Sequence, residues 1–368
     1  MASSRLHRLS GLGQSVWIDF LSRDLVHAGE LARMMREDAV VGVTSNPTIF
    51  QKALSSGTAY DEELRTLLDR ESDAKEIFIA LASRDVGDAC DLLRPVWDAS
   101  GGLDGYVSME VDPTLAYDPE KTVAEAKRLH ALIDRPNLLV KIPATQPGLA
   151  AIEDMIAKGK SINVTLIFSL DRYAAVVESY LRGLERLVAS GGDPGSVASV
   201  ASFFVSRVDT EADGRLEAIG GHDKLKGKLA IANAKLAYLH FIETFAGERW
   251  EYLASKGARK QRCLWASTST KNPAYSDVLY VEKLIGRETV NTMPEETIQA
   301  FQHHGKVEPT LERSLDKARR LLEKLADVGV DYADVTSVLE QEGVEKFATS
   351  FVELLDGIRS KRAELALA

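Results

Sequence analysis

Cysteine is nearly absent from this chain of 368 residues: Cys90 and Cys263 are the only two. They are too few and too far apart for a disulfide framework or a zinc knuckle, which suits a reducing compartment and a cytoplasmic location. Long apolar runs are missing too. Although 45% of the residues are hydrophobic, no stretch reaches the ~20 apolar residues that a membrane helix needs, so no membrane partner is expected. The opening Met1-Ala2-Ser3-Ser4-Arg5-Leu6-His7-Arg8 leads into Gly11-Leu12-Gly13-Gln14 without the apolar core of a secretory signal, and export is not expected. An excess of basic residues is lacking as well. The net charge of −10 and the pI near 5.4 argue against a broad nucleic-acid surface, while a few local cations could still hold an anionic small molecule. No Walker sequence, dinucleotide fingerprint or Gly-rich phosphate turn after the first strand is present, which argues against an open doubly wound sheet.

What is present is a recurrence of strand-like runs, each followed by a helical pattern. Strands are expected at Val16 to Phe20, Ala39 to Asn46, Asp104 to Val111, Asn137 to Pro143, Ser161 to Phe168, Val197 to Ser206, Arg262 to Thr268 and Glu288 to Met293. Helices are expected near Leu25 to Glu37, Pro119 to Ile133, Gly148 to Lys158, Leu170 to Ser190 and Ala274 to Ile285, with Asp118, Ser169 and Asp171 as capping candidates. Repeated β-then-α units predict an α/β fold, a closed (β/α)8 barrel. Such a barrel needs about 250 residues. The surplus falls in helical insertions at 47–99 and 207–261 and in a helical tail at 295–368. No linker or repeat appears, and Gly191-Gly192 and Gly220-Gly221 read as turns, so the expectation is one domain over 1–368.

A parallel barrel places its active site at the C-terminal strand ends. Those ends supply Asp19, Asn46, Glu110, Lys141, Asn163 with Thr165, Ser202, Ser267 and Thr292. Strand alternation puts Asn163 and Thr165 on one side of the sheet, and likewise Leu139 and Lys141 on one side. Lys141 lies in the apolar run Asn137-Leu138-Leu139-Val140-Lys141-Ile142-Pro143, where no sequence neighbour offers a counter-ion. Desolvation there favours a neutral amine that can attack a ketone carbonyl. A single lysine of this kind also fits an ion-paired barrel residue or an edge-strand gatekeeper, and any one of the others fits a strand-end cap. Two carboxylates, a lysine and several amides and hydroxyls on one mouth form the set that imine chemistry requires.

The segments that carry this set are Trp17-Ile18-Asp19-Phe20, Gly42-Val43-Thr44-Ser45-Asn46-Pro47-Thr48, Val107-Ser108-Met109-Glu110-Val111-Asp112, Leu139-Val140-Lys141-Ile142-Pro143-Ala144-Thr145, Ile162-Asn163-Val164-Thr165-Leu166-Ile167-Phe168-Ser169 and Ser202-Phe203-Phe204-Val205-Ser206-Arg207. In order along six strands, they resemble the transaldolases, over about residues 14 to 305, with the C-terminal helices adding little. The resemblance implies metal-free, cofactor-free transfer of a dihydroxyacetone unit between sugar phosphates in the non-oxidative pentose phosphate pathway, by a monomer or homodimer. It makes Lys141 the Schiff-base residue and Asp19 the base for the C4 hydroxyl. It gives Glu110 and Thr165 the water that shuttles protons, and Asn46 and Asn163 the hydroxyls of the three-carbon unit, with Ser202 among the binding residues. Phe204 fits transfer to an acceptor. Similar aldolases that release free dihydroxyacetone carry tyrosine there, and a fructose 6-phosphate aldolase is the near alternative. A catalytically silent sugar-phosphate-binding barrel is the distant one, although such a barrel would be expected to have lost Asp19, Glu110 or Lys141.

For the phosphate, Arg207 matches the family pattern. After the seventh strand, where shorter bacterial members place an arginine, this chain reads Trp265-Ala266-Ser267-Thr268-Ser269-Thr270-Lys271-Asn272. Lys271 is the candidate cation, with Ser267 or Ser269 as the phosphate hydroxyl. Ser206 stands where similar sequences have glycine. Other features carry no site: His303-His304-Gly305 has no further ligand at metal spacing and reads as a solvated turn. Asn163-Val164-Thr165 matches a glycosylation pattern but lies in a buried strand. Glu308 to Lys324 reads as a solvated helix face.

Overall fold

The computed structural model describes residues 4–55 and 58–367, and side chains except those of 55 and 363–367; Met1 to Ser3 of the N-terminal segment read above lie outside it. Eight parallel strands close into a barrel in sequence order: β1 (Gln14–Ile18), β2 (Val40–Val43), β3 (Tyr106–Glu110), β4 (Leu138–Pro143), β5 (Ile162–Ile167), β6 (Ser199–Phe204), β7 (Arg262–Ala266) and β8 (Thr289–Met293). The open doubly wound alternative is thereby excluded, because β8 pairs with β1 from Gln14–Thr289 to Ile18–Met293. Seven of the eight strands are buried at every position, and β2 at all but Val41, which explains runs that read as apolar rather than alternating.

The barrel's N-terminal end is plugged by polar contacts around a partly buried ion pair. Arg262 reaches Asp104 at 3.0 Å, and Asp104 also accepts from Ser15 Oγ at 2.8 Å and Trp17 Nε1 at 3.3 Å. Gly42 in β2 makes room for the Trp17 ring, which a Cβ would meet at 2.5 Å. A side chain there would overpack the barrel.

The helical surplus lies where the length predicts it. Helices Pro47–Ser55, Asp61–Leu68 and Ala74–Ala99 follow β2, helices Ser206–Ile219, Leu229–Thr244 and Glu248–Ser255 follow β6, and helices Glu295–His304, Leu315–Asp327 and Tyr332–Leu367 follow β8. Asp118 and Ser169 cap their helices by accepting from the backbone N–H of Lys121 and of Arg172. Asp171 lies in the first turn beside Ser169.

Three expected helices differ. The segment Leu25 to Glu37 forms two helices, Arg23–His27 and Glu30–Glu37, because Gly29 between them takes φ +84°. Ala274 to Ile285 is helical only over Leu279–Lys283. Its start is turned instead, with Asn272 Oδ1 accepting from the Ala274 N–H at 2.9 Å and Thr270 Oγ1 donating to the Ser276 carbonyl. The Glu308 to Lys324 helix begins at Leu315, and the stretch before it buries Leu311.

Candidate active site

Strand pairing assembles the centre of the site. Glu110 on β3 is the register partner of Lys141 on β4; Lys141 in turn is opposite Asn163 on β5, and Pro143 opposite Thr165. Adjacent parallel strands keep such partners on the same side of the sheet, so an acid, an amine and an amide share one layer. Lys141 Nζ stands 3.7 Å from Glu110 Oε2 and donates to the Ser45 carbonyl at 3.3 Å. Phe347, from the C-terminal helix, places its ring centroid 5.9 Å from the same nitrogen. The counter-ion missing from the sequence neighbourhood is thus supplied in space by Glu110, and Lys141 is not a lone desolvated amine.

Both Glu110 carboxyl oxygens are buried without a protein hydrogen-bond partner, and so is Thr165 Oγ1. Burial pushes the Glu110 pKa up to about 7; the Lys141 charge opposes this and the Asp19 charge adds to it. The carboxyl therefore exchanges its proton near neutrality.

Asp19 follows β1, its backbone N–H held by the Met293 carbonyl at 2.9 Å. Oδ1 accepts from Thr44 Oγ1 at 2.7 Å, and Thr44 is 2.6 Å from Thr292 Oγ1. Burial raises the Asp19 pKa above its ordinary value, opposed by the Lys141 charge, the Thr44 hydrogen bond and the Lys271 charge, while Glu296 adds to the rise. Thr44 lies inside a motif singled out above, yet its side chain's role in holding Asp19 was not legible there.

A cavity of about 290 Å³ opens over these groups. It gathers Asp19, Asn46, Lys141, Ser202, Phe204, Arg207, Ser267 and Lys271, all expected from sequence, and Ser269 as well. Glu110, Asn163 and Thr165 are not on its wall. Asn163 is fully buried, donating to Ser108 Oγ at 3.0 Å and accepting from Ser202 Oγ at 2.7 Å. Asn46 uses Oδ1 to accept the Ile49 N–H at 3.1 Å, tying down the start of helix Pro47–Ser55.

Arg207 occupies the second position of helix Ser206–Ile219 and lies 5.6 Å from the Phe204 ring centroid. Burial lowers its pKa, with Glu342 and Asp19 acting against that. Ser267, just past β7, takes φ +56°, a conformation uncommon outside glycine and held here by neighbours. Ser206 accounts for part of that hold: its N–H donates to the Ser267 carbonyl at 3.0 Å and its hydroxyl is 2.9 Å from Ser267 Oγ. Ser206 thus links the ends of β6 and β7.

The C-terminal helices contribute more than the resemblance implies. Lys346 and Phe347 of helix Tyr332–Leu367 line the cavity, as do Lys52 and Glu296. Val335, Leu339, Val344, Phe347, Phe351, Leu354 and Ile358 are all buried, and their spacing marks one packed face. That periodicity was readable; that the face closes over the barrel mouth was not. His303 and His304 end helix Glu295–His304, with His304 Nε2 2.8 Å from Asp277. Among the described residues no group of three or more His, Cys, Asp or Glu could hold a metal ion, and no helix is long and apolar enough to cross a membrane.

A closed parallel barrel with an amine–carboxylate pair at its C-terminal end, under a mouth that carries cations, is an α/β-barrel enzyme of the kind that works at that end on small anionic molecules. Residues 16–358 match the family model described as Transaldolase/Fructose-6-phosphate aldolase. Curated relatives of the chain carry the name Transaldolase. The one from Parafrankia sp. (strain EAN1pec) is 53% identical over 367 residues, covering 99% of this chain and 100% of the relative. The one from Frankia alni is 54% identical over 359 residues, 97% of each chain, and the one from Mycolicibacterium smegmatis 50% identical over 359 residues, again 97% of each. The chain belongs to the transaldolase family. The match continues well past residue 305, in keeping with the C-terminal helix lying against the site.

Proposed function

We propose that this enzyme, a transaldolase, moves a dihydroxyacetone unit from sedoheptulose 7-phosphate to glyceraldehyde 3-phosphate, giving erythrose 4-phosphate and fructose 6-phosphate through a Schiff base on Lys141. The neutral amine attacks the ketose C2. Loss of water from the carbinolamine leaves a protonated imine, which accepts the electron pair when the C3–C4 bond breaks. Asp19 takes the C4 hydroxyl proton, the aldose phosphate leaves, and the enamine attacks the acceptor aldehyde. Asp19 returns the proton, and water releases the product from Lys141.

The observation that carries this reading is the Lys141–Glu110 pair at 3.7 Å. A buried carboxyl with a pKa pushed up to about 7 can give and regain the proton that carbinolamine formation and breakdown require. Its unpartnered oxygens and the Thr165 hydroxyl have hydrogen-bonding capacity in hand for a water that relays it. Asn46, Asn163 and Ser202 serve the hydroxyls of the three-carbon unit. Arg207 and Lys271, with Ser267 or Ser269, serve the phosphate. Phe204 lacks the hydroxyl that would help protonate the enamine and free dihydroxyacetone, which favours transfer over release.

One barrel domain over the whole chain, acting in the cytoplasm as a monomer or homodimer, completes the reading; two buried free cysteines accord with a reducing compartment. Its test is transfer itself. Purified enzyme should convert sedoheptulose 7-phosphate and glyceraldehyde 3-phosphate to fructose 6-phosphate, with activity intact after treatment with a chelator. Accumulation of free dihydroxyacetone at the rate of donor consumption would reassign it as an aldolase.

A further inference from the structure

The cationic rim of the cavity is not confined to the strand ends. Lys346, on helix Tyr332–Leu367, lines the same cavity as Arg207 and Lys271. That helix is fixed in place over the barrel. Thr48 Oγ1 donates to Ser350 Oγ at 2.8 Å, Phe351 meets Phe78 edge-on with centroids 5.6 Å apart, and Glu340 pairs with Arg172 at 3.2 Å. Gly343 permits the approach, since a Cβ would come within 3.1 Å of Leu166. Neighbouring positions on the helix then do different things: Phe347 is buried beside Lys141, whereas Lys346 stays exposed.

The electrostatics of Lys346 connect it to the other cations. The Arg207 charge, followed by burial and the charges of Lys271 and Lys52, pulls its pKa below the ordinary lysine value. Asp19 and Glu296 are the only carboxylates on the cavity wall among the described residues. Like charges gathered in one mouth repel, and a dianion seated among them removes that repulsion.

We propose that Lys346 is a substrate-binding residue that grips the sugar phosphate together with Arg207, so that a helix remote in sequence from every strand completes the substrate site. This rests on the reading of the cavity as a sugar-phosphate site. Donor and acceptor occupy that site in turn, so both feel the lysine. Because its ammonium is exposed, its contribution is modest and screened by salt.

The test uses the full-length enzyme with Lys346→Ala, Lys346→Arg and Lys346→Glu. With Lys346→Ala, KM for fructose 6-phosphate and for erythrose 4-phosphate should rise about three- to tenfold with kcat nearly constant, and the rise should shrink at high salt. KM for unphosphorylated fructose and glyceraldehyde should stay at the wild-type value. Lys346→Arg should restore phosphate binding, and Lys346→Glu should weaken it beyond Lys346→Ala. An unmoved KM for the phosphorylated substrates, or equal losses with and without phosphate, would overturn the proposal. Borohydride labelling of Lys141 in the wild-type enzyme is read separately. A missing label there refutes the Schiff-base reading, whereas a labelled wild type with an unmoved Lys346→Ala KM overturns this inference alone.

Discussion

Glu110 and Lys141 face each other across β3 and β4 at 3.7 Å, register partners whose separation follows from strand pairing and not from sequence proximity. The distance is that of a charge contact, longer than a hydrogen bond, so either group can turn to a third partner without breaking a short bond. In the proposed mechanism a substrate carbonyl at Lys141 is such a partner.

Glu110→Gln should slow imine formation and hydrolysis by about two to four orders of magnitude, the range for a positioned proton carrier, while leaving C3–C4 cleavage in the preformed imine largely unchanged. The pH dependence gives the sign. Burial raises the Glu110 pKa to about 7, so the carboxyl holds a proton below that value and loses it above. The rate of imine formation should therefore fall as pH rises through about 7, and Glu110→Gln should lack this limb. Pre-steady-state kinetics over pH 5 to 9 check it; an identical limb in the variant would assign the titration to another group.

In the proposed mechanism Asp19 acts after the imine has formed. Asp19→Ala should still be trapped by borohydride while losing about two to four orders of magnitude in turnover. Thr44→Val removes the 2.7 Å hydrogen bond to Asp19 without moving the carboxylate's backbone. That bond lowers the Asp19 pKa against a larger effect of burial, so its loss should shift the acid limb of kcat to higher pH. Wild-type turnover in Asp19→Ala would place the base elsewhere.

Arg207 and Lys271 should differ in weight. Arg207 can make two parallel charge-assisted bonds, so Arg207→Ala should cost roughly 1.5 to 3 kcal/mol in binding, or about ten- to a hundredfold in KM where chemistry is slow. Lys271 is exposed and should lose less as Lys271→Ala, with Lys271→Arg tolerated. Both losses should nearly vanish with unphosphorylated substrates. Equal losses with and without phosphate would show that these residues support the barrel mouth structurally.

The sequence disclosed most of the barrel because parallel strands buried on both faces leave apolar runs at regular intervals. Their polar ends, from Asp19 to Thr292, stood out against that background. Element ends were harder: a left-handed Gly29 divides one helix, and side-chain turns at Asn272 shorten another. The counter-ion of Lys141 was hidden because pairing across strands, not chain neighbours, brings Glu110 to it. Lys346 and Phe347 were missed for a related reason. A helical stripe declares that a face is packed, but its docking partner is a long-range contact that no local pattern encodes.

The proposed mechanism stands on Lys141 carrying the substrate as an imine. The most direct measurement is reduction with borohydride in the presence of fructose 6-phosphate, followed by mass spectrometry of the digested protein. A reduced three-carbon adduct on Lys141 is expected, with no adduct and no turnover in Lys141→Arg, whose guanidinium stays protonated. An adduct on another lysine, or full activity in Lys141→Arg, would contradict it.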